Sequence, residues 1–255
     1  MIERRFAHLE FQARSCSPAA IAKSIRSCGC ALVRGALSPA VMTYLGDVMP
    51  LMFRYIDVRE TYAHYKIDQP DAPKPFRASL IRFDVLPGFS KMIELEVIDF
   101  LFGAIDRSIL TQVNLAYFPG QVFGLRSKMS IARRQSPVAD ENTLPFHQDG
   151  TNYVDLDFLN FWIPATPAGG DAPGLELVPV ALGETLEVTT GPSTYPTIEL
   201  DEASLAARFG GDNFFHPVMQ PGDVLIMNQH TVHRTYTPPG ATRERFSFEV
   251  RVGVA

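Results

Sequence analysis

The sequence predicts an α+β protein that is mainly β, with its helices confined to the N-terminal third. Segments near the start combine helix-capping residues with apolar residues at helical spacing. From residue 111 onward the chain consists of short β-prone runs separated by Pro and Gly. Residues 243–252 alternate polar and apolar side chains without a break, which is typical of a strand with one apolar face.

Three helices are predicted before residue 110. The dipeptide Ser17-Pro18 fits the N-cap and first position of a helix that Gly29 would end. Ser38-Pro39 repeats this start, and apolar residues at helical spacing follow it: Val41, Leu45, Val48 and Met52. The same period over residues 90–105 predicts the third helix.

Nine strands are predicted in the remainder of the chain. We expect them near 111–118, 123–132, 144–150, 158–163, 174–178, 184–189, 223–227, 231–235 and 244–252. No repeat or low-complexity linker divides the chain, so we expect one domain over 1–255. Its region 1–110 would be mostly helical, and its region 111–255 would form the β core.

Composition excludes several classes of function. A net charge of −5 gives no electrostatic basis for binding nucleic acid. The start of the chain lacks the apolar segment of a secretory signal, and no stretch reaches the length of a membrane span. Three cysteines, an odd number, suit a reducing compartment, so we expect a cytoplasmic protein. The composition carries no signal for an oligomeric state.

His147 and Asp149 lie one residue apart in a run that reads as extended. On a strand, residues i and i+2 point to the same face, roughly 6.6 Å apart, so both side chains can reach one metal ion. A second histidine would complete a 2-His-1-carboxylate triad, which leaves open positions on ferrous iron. The competing explanation is a surface turn, because Gln148-Asp149-Gly150 is favourable turn chemistry.

Two histidines are available downstream. A turn at Pro221-Gly222-Asp223 and the apolar run 224–227 lead to His230 and His233. Either can supply the third ligand, since a bulge shifts the register of a strand by one residue or more.

The final strand offers cationic side chains for an anionic ligand. Its polar face carries Arg243, Arg245, Ser247, Glu249 and Arg251. This face is either exposed to solvent or turned inward, where a guanidinium fork can bind a carboxylate through two hydrogen bonds.

The order His147-x-Asp149, Gly222-Asp223, a histidine and then Arg245-Phe-Ser247 resembles the Fe(II)/2-oxoglutarate oxygenases, in particular the phytanoyl-CoA dioxygenase-like family. In that family the distal histidine lies eleven residues after the glycine, which selects His233 over His230. The Arg-x-Ser pattern selects Arg245, with Arg243 as its competitor. The chain departs from the family at 180–183, where Val-Ala-Leu-Gly replaces Gly-Ser-His.

The resemblance implies a double-stranded β-helix (jelly roll, cupin-like) core with the helical N-terminal third packed on it. It implies an Fe(II) centre held by His147, Asp149 and His233. Arg245 and Ser247, with Arg133 assisting, would then bind 2-oxoglutarate. O2 and 2-oxoglutarate would be converted to succinate and CO2 while a small organic substrate, acidic or lipid-like, is oxidised.

The intact Asp149 bears on the reaction type. In related halogenases a glycine or alanine takes its place so that halide can bind iron, which implies that this chain hydroxylates, or otherwise oxidises, rather than halogenates. The rival hypothesis is a cupin-like jelly-roll protein that binds metal without using 2-oxoglutarate, for which Arg245-Phe-Ser247 would be unnecessary.

Overall fold

The computed structural model describes most of the chain, namely residues 4–65, 77–82, 91–138, 143–153, 155–189, 195 and 197–254. The helices within these ranges are α1 (Pro18–Cys28), α2 (Pro39–Tyr65), α3 (Lys91–Asp106), α4 (Ile109–Tyr117) and α5 (Glu202–Phe209). The strands are β1 (Glu10–Gln12), β2 (Cys30–Arg34), β3 (Leu80–Arg82), β4 (Phe123–Leu125), β5 (Ile131–Gln135), β6 (Phe158–Pro164), β7 (Gly174–Val178), β8 (Val224–Asn228), β9 (Val232–Tyr236) and β10 (Arg245–Val254). The prediction of a mixed, sheet-rich protein is confirmed. The helices are not confined to residues 1–110, because α4 continues to Tyr117 and α5 lies within the predicted β region.

The first helix begins and ends as its sequence predicts. The Ser17 hydroxyl accepts a hydrogen bond from the Ala20 amide at 3.1 Å, and Gly29 closes the helix in the left-handed region with φ of 79°. The helix that follows Ser38-Pro39 is also confirmed and extends to Tyr65. The third prediction, 90–105, corresponds to α3, although residue 90 lies outside the described residues.

The strand predicted over 111–118 is wrong, because this segment is helix α4. Ser108 caps the helix through its hydroxyl, which accepts from the Leu110 amide at 3.1 Å. The side chains buried on α4 follow helical spacing, at Leu110, Val113 and Asn114. Val113, Leu115 and Tyr117 alternate with other residues in the sequence, which suggested a strand. This alternation does not mark a buried face, since Leu115 is 52% exposed.

Three further strand predictions need correction. The segment 184–189 forms no strand. Its backbone is bound by a side chain instead: the Leu186 amide donates a hydrogen bond to Gln148 Oε1 at 2.6 Å. The segment 144–150 contains only one isolated bridge, at His147, before a 3-10 helix begins at Asp149. The predicted strand 123–132 divides into β4 and β5 around a short 3-10 helix.

One large sheet forms the centre of the fold. Its strands lie in the order β1-β2-β8-β6-β10-β5-β3, and β4 pairs with the end of β10. Strand β10 pairs antiparallel with β6 over seven residue pairs and with β5 over five. Strands β7 and β9 form a second, antiparallel sheet.

Each face of the large sheet has its own core. The outer face packs on the N-terminal helices, with Phe246, Phe248, Val250 and Val252 of β10 contributing to that cluster. At the β2 and β8 end the inner face packs against β7 through a second cluster, which includes Leu32, Leu225 and Leu177. Helix α5 and Phe214 cover the outside of the smaller sheet. This layering places the remaining, polar part of the inner face between two apolar layers.

Within the described residues, no helix combines the length and apolarity needed to cross a membrane.

Gly29 links helix α1 to the turn that precedes His233. Its carbonyl accepts from the Thr231 hydroxyl at 2.7 Å and from the Asn228 amide at 3.0 Å. A Cβ placed on Gly29 would lie 3.1 Å from both Thr231 Oγ1 and Val180 O. Gly35 also has a positive φ, of 61°, but a Cβ there would meet nothing within 4 Å.

Substitution of Gly29 by Ala should therefore destabilise the protein more than Gly35→Ala does. We expect Gly35→Ala to lower the free energy of unfolding by about 1 kcal/mol, the cost of a left-handed residue with a Cβ, and Gly29→Ala to lower it by about 1 kcal/mol more. Urea denaturation of the two variants measures this difference. Equal losses would contradict the close approach at Gly29.

Candidate metal centre

His147 and His233 come from separate segments that meet through their backbones. The His147 amide donates to the His233 carbonyl at 2.9 Å, and the His233 amide donates back at 3.0 Å. This antiparallel bridge extends the β7–β9 sheet by one residue of the His147 segment. The two imidazole rings lie with their centroids 4.3 Å apart, and both side chains are buried.

Both imidazoles are held in the tautomer that a metal needs. Nδ1 of His147 donates to the Pro145 carbonyl at 2.8 Å, and Nδ1 of His233 donates to the Thr231 carbonyl at 2.9 Å. A carbonyl oxygen can only accept, so each ring keeps its proton on Nδ1 and leaves the Nε2 lone pair free. Such hydrogen bonds orient the histidine ligands of metal sites.

Asp149 completes a three-residue cluster. Gln148 is extended, with φ of −121° and ψ of 133°, so the side chains on either side of it point the same way. The potential ligand atoms of His147, Asp149 and His233 all lie within 4.8 Å of one another. Among the described residues this is the one group of three such side chains with metal-binding geometry, and His230 lies outside it.

Gln148, between the two predicted ligands, anchors their loop from the opposite side. Its side chain is fully buried. The amide nitrogen donates to the carbonyls of His230 at 2.6 Å and Glu184 at 3.2 Å, and its oxygen accepts from the Leu186 amide. The middle residue of the His-x-Asp motif thus fixes the direction in which its neighbours point.

The environment of the cluster sets its protonation states. Burial, and next the nearby His233, lowers the pKa of His147 to about 4, so its imidazole is neutral at pH 7. Burial would raise the pKa of Asp149, but the Arg251 guanidinium reverses this and holds the pKa well below its usual range. The neutral imidazole of His147 therefore faces the ionised carboxylate of Asp149 at physiological pH.

Strand β10 carries a row of buried polar side chains beside this cluster. Arg251 contacts both Asp149, at 2.8 Å, and Glu249, at 3.1 Å. Glu249 in turn accepts from Nε of Arg133 on β5 at 2.8 Å. Burial would raise the pKa of Glu249, but these two arginines lower it to about 2. The row forms a continuous chain of charges from Arg133 to Asp149.

Arg245 and Ser247, on the same face of β10, have no such partners. Both side chains are completely buried, and Nε, Nη1 and Nη2 of Arg245 and Oγ of Ser247 form no hydrogen bond with any residue that the structure describes. Burial, together with the charge of Arg133, lowers the pKa of Arg245 to about 9, so it stays a cation at pH 7. Its guanidinium carbon lies 5.0 Å from the centroid of the Trp162 ring. A buried cation without a counter-ion is costly, so this geometry is suited to an anion.

The other arginines of the predicted polar face are already paired. Arg243 is 57% exposed and forms a salt bridge with Asp171 at 2.8 Å. Arg251 is committed to Asp149 and Glu249. Arg243 is therefore exposed and paired, whereas Arg245 is buried and has no hydrogen-bond partner among the described residues.

Sequence reasoning missed two side chains that contact Asp149. Asn160 on β6 donates from Nδ2 to Asp149 Oδ2 at 2.9 Å, and Arg251 donates to both carboxylate oxygens. The signal for Arg251 was present in the alternation of 243–252, which puts it on the face of Arg245. Asn160 carried no signal, because it lies in a continuous apolar run.

No protein-family model matches the chain, and no curated protein sequence matches it either. Solved structures do match over nearly its whole length. AviO1 from Streptomyces viridochromogenes Tue57 is 17% identical, with a TM-score of 0.58 and coverage of 93% of this chain and 95% of AviO1. EctD from S. alaskensis, solved in its apoform, is 13% identical, with a TM-score of 0.61 and coverage of 97% of this chain and 81% of EctD.

EvdO2 from Micromonospora carbonacea var. aurantiaca is similar in the same way. Its complex with 2-oxoglutarate is 14% identical, with a TM-score of 0.58 and coverage of 92% of this chain and 90% of EvdO2. At these identities the likeness shows that the chain shares its fold with the three proteins.

The charge chain predicts a specific pH dependence of stability. Because the pKa of Glu249 is lowered from 4.5 to about 2 on folding, its contribution is complete above pH 4.5 and is lost as the pH falls toward 2. Between about pH 5 and pH 3 this one group should remove about 2 kcal/mol of the free energy of unfolding.

Urea denaturation of metal-free wild type and Glu249→Gln at several pH values measures the effect. The variant should be less stable at pH 7, and its stability should fall less steeply on acidification. Parallel profiles for the two proteins would show that Glu249 is not held ionised by its arginines.

Proposed function

We propose that this protein is a non-haem Fe(II)/2-oxoglutarate-dependent oxygenase of the phytanoyl-CoA dioxygenase-like type. Two observations together carry the proposal. His147, Asp149 and His233 form a cluster, and Arg251 of β10 contacts its carboxylate. On the same face of β10, Arg245 is a buried cation without a hydrogen-bond partner among the described residues. The first suits a metal with open positions, and the second suits an anionic cosubstrate bound beside it. The 2-oxoglutarate bound in the structurally similar EvdO2 supports this assignment.

The donor set fits Fe(II). His147 and His233 offer neutral Nε2 atoms because their Nδ1 protons are engaged by backbone carbonyls. Asp149 offers an ionised carboxylate because Arg251 lies against it. When bound, Fe(II) would supply the activation of O2 that oxidises 2-oxoglutarate to succinate and CO2 and that oxidises the substrate. The protein's own task is to hold these three ligands on one side and to leave the other side open.

The inner surface of β10 fits 2-oxoglutarate. Arg245 presents a guanidinium with all three nitrogens unpartnered, and the Ser247 hydroxyl lies on the same face of the strand two residues on. The fork would bind the distal carboxylate through two charge-assisted hydrogen bonds, and the hydroxyl would add a third donor. Arg133, opposite Ser247 in the β5–β10 register, would add positive charge to the same region.

The charge balance of the interior favours binding metal and dicarboxylate together. The buried groups Arg133, Arg245 and Arg251 face only two buried carboxylates, Glu249 and Asp149. A dicarboxylate alone would relieve the excess of positive charge, whereas a metal dication alone would increase it. Each ligand therefore favours the other, and the pair leaves the balance of the protein unchanged.

We further propose hydroxylation, or another C–H oxidation, of a small organic substrate, since Asp149 occupies the position that a halide would need. The two sheets would form a double-stranded β-helix in one domain, with the active site between them. The protein would act in the cytoplasm.

The proposal is tested by adding 2-oxoglutarate to the anaerobic Fe(II) protein and following the visible charge-transfer absorption of the chelate. We expect the band in wild type and its loss in His147→Ala. Arg245→Ala should weaken the apparent affinity for 2-oxoglutarate by at least about 30-fold, because a buried charge pair is broken.

Arg243→Ala is the matched control, since Arg243 lies on the same face of the chain two residues earlier but pairs with Asp171 near the surface. We expect wild-type affinity in this variant. Absence of the band in folded, iron-loaded wild type would favour a cupin-like metal-binding protein that does not use 2-oxoglutarate.

Intrinsic fluorescence gives an independent reading of the same site. Trp162 is the sole tryptophan, and it lies under the Arg245 guanidinium. Binding of a dicarboxylate to Arg245 should change its emission in protein loaded with redox-inert Zn(II), and Arg245→Ala should shift the titration to at least about 30-fold higher concentration. An emission that does not respond to saturating 2-oxoglutarate would place the ligand elsewhere.

A further inference from the structure

Arg251 differs from the other buried arginines in the number of groups that fix it. Nη1 donates to the Met129 carbonyl, and Nη2 donates to Glu249 at 3.1 Å. The other two hydrogen bonds of the guanidinium go to the Asp149 carboxylate. Nη2 donates to Oδ1 at 2.8 Å, and Nε donates to Oδ2 at 3.3 Å. Every nitrogen of the guanidinium is therefore engaged, and its side chain is only 7% exposed.

The groups that hold Arg251 are themselves fixed. Glu249 is tied to Arg133 on the neighbouring strand at 2.8 Å. The Arg251 amide donates to the Ser130 hydroxyl at 2.9 Å, which joins β10 to the segment that carries Met129. The guanidinium thus presents its fork to Asp149 from a rigid support.

Asp149 has few other means of orientation. It stands at the start of a 3-10 helix of four residues rather than within a strand. Besides Arg251, the side chain that contacts its carboxylate through a hydrogen bond is Asn160, at 2.9 Å. Without Arg251 a buried carboxylate would retain one neutral partner.

We propose that Arg251 is a positioning residue for the metal centre, orienting the Asp149 carboxylate toward the two histidines. The inference rests on the proposed metal-binding function. It adds a residue that acts on the metal only through its ligand. Partners of this kind typically change metal affinity 10–100-fold when they are lost.

Two physical effects of Arg251 oppose each other. Its charge repels a nearby metal dication, so removal could tighten binding. Its fork holds the carboxylate in place, so removal should loosen binding. The geometry favours the second effect because both Asp149 oxygens are bonded and the guanidinium charge is already shared with Glu249.

The first test compares Co(II) binding by wild type, Arg251→Met and Arg134→Met, using the visible absorption of the bound ion. Arg134 is the matched control. It is equally buried, lies on β5, and makes two hydrogen bonds to a carboxylate, Asp57, at 2.8 and 3.0 Å on the opposite face of the sheet.

We expect Arg251→Met to weaken Co(II) binding at least tenfold and to change the absorption spectrum of the complex. Arg134→Met should lower stability but keep wild-type affinity and spectrum. A loss of less than tenfold, or tighter binding, in folded Arg251→Met would overturn the inference. Wild type that binds no Co(II) would instead overturn the proposed metal function.

The second test does not depend on how well Arg251→Met folds. In Asp149→Gly the donors of Arg251 and Asn160 would surround the vacated carboxylate position, so added formate should restore Co(II) affinity at least tenfold. In Asp149→Gly/Arg251→Met, which lacks the guanidinium that would bind formate, formate should restore little. Equal restoration in the two variants, or none in Asp149→Gly, would show that Arg251 does not position the ligand.

Discussion

Strand β10 excludes water from both of its faces while carrying charge on one of them. It lies between β5 and β6, so its backbone is paired on both edges. One face joins the apolar core beneath the helices, and the other presents Arg245, Ser247, Glu249 and Arg251 to the interior. A buried charge destabilises the fold unless it is paired with an opposite charge, either from the protein or from a bound ligand. Glu249 and Arg251 are paired with neighbouring groups, whereas Arg245 has no hydrogen-bond partner within the described residues. The interior face of β10 is therefore divided into a paired part and an unpaired part.

The inner face of the large sheet changes character from one edge to the other. At β2 and β8 it is apolar and packs against β7, which brings the smaller sheet close to the large one. At β6 it becomes mixed, with Trp162 joining the apolar cluster and Asn160 donating to Asp149. At β10 and β5 it is charged. Because the second sheet is fixed at the apolar side, His233 on β9 and the His147 segment paired with it are held over the polar side. The metal ligands and the cationic strand thus face each other as a consequence of packing elsewhere.

Local signals in the sequence predicted what local chemistry controls. The caps at Ser17 and Gly29 depend on neighbouring residues, and the structure has both. The period-two pattern of β10 is also confirmed, because its apolar side chains join the core beneath the helices while its polar side chains face the interior. The same pattern failed at 111–118, where the Ser108 cap and the burial of Leu110 and Val113 establish a helix. Short apolar runs are ambiguous between the two periods, and tertiary packing decides them.

The candidate site was predictable to the extent that its residues lie in motifs of recognisable spacing. His147, Asp149 and His233 are brought together by the fold, while His230 is not in their cluster. The sequence does not show how the polar residues at the end of the chain differ from one another. Three arginines and one glutamate alternate with apolar residues there, and their spacing does not reveal which of them are paired. Burial distinguishes them: Arg243 reaches solvent and Asp171, Arg251 reaches Asp149, and Arg245 reaches neither. Asp149 stands at the start of a short 3-10 helix, and Arg251 from another element fixes its carboxylate. In the proposed function, 2-oxoglutarate needs a cation without a protein partner, which Arg245 would supply. Arg245 and Arg251 lie six residues apart on one face of β10, roughly 20 Å along the strand. Glu249 lies between them and forms a salt bridge with Arg251, whereas Arg245 forms no hydrogen bond with a described residue.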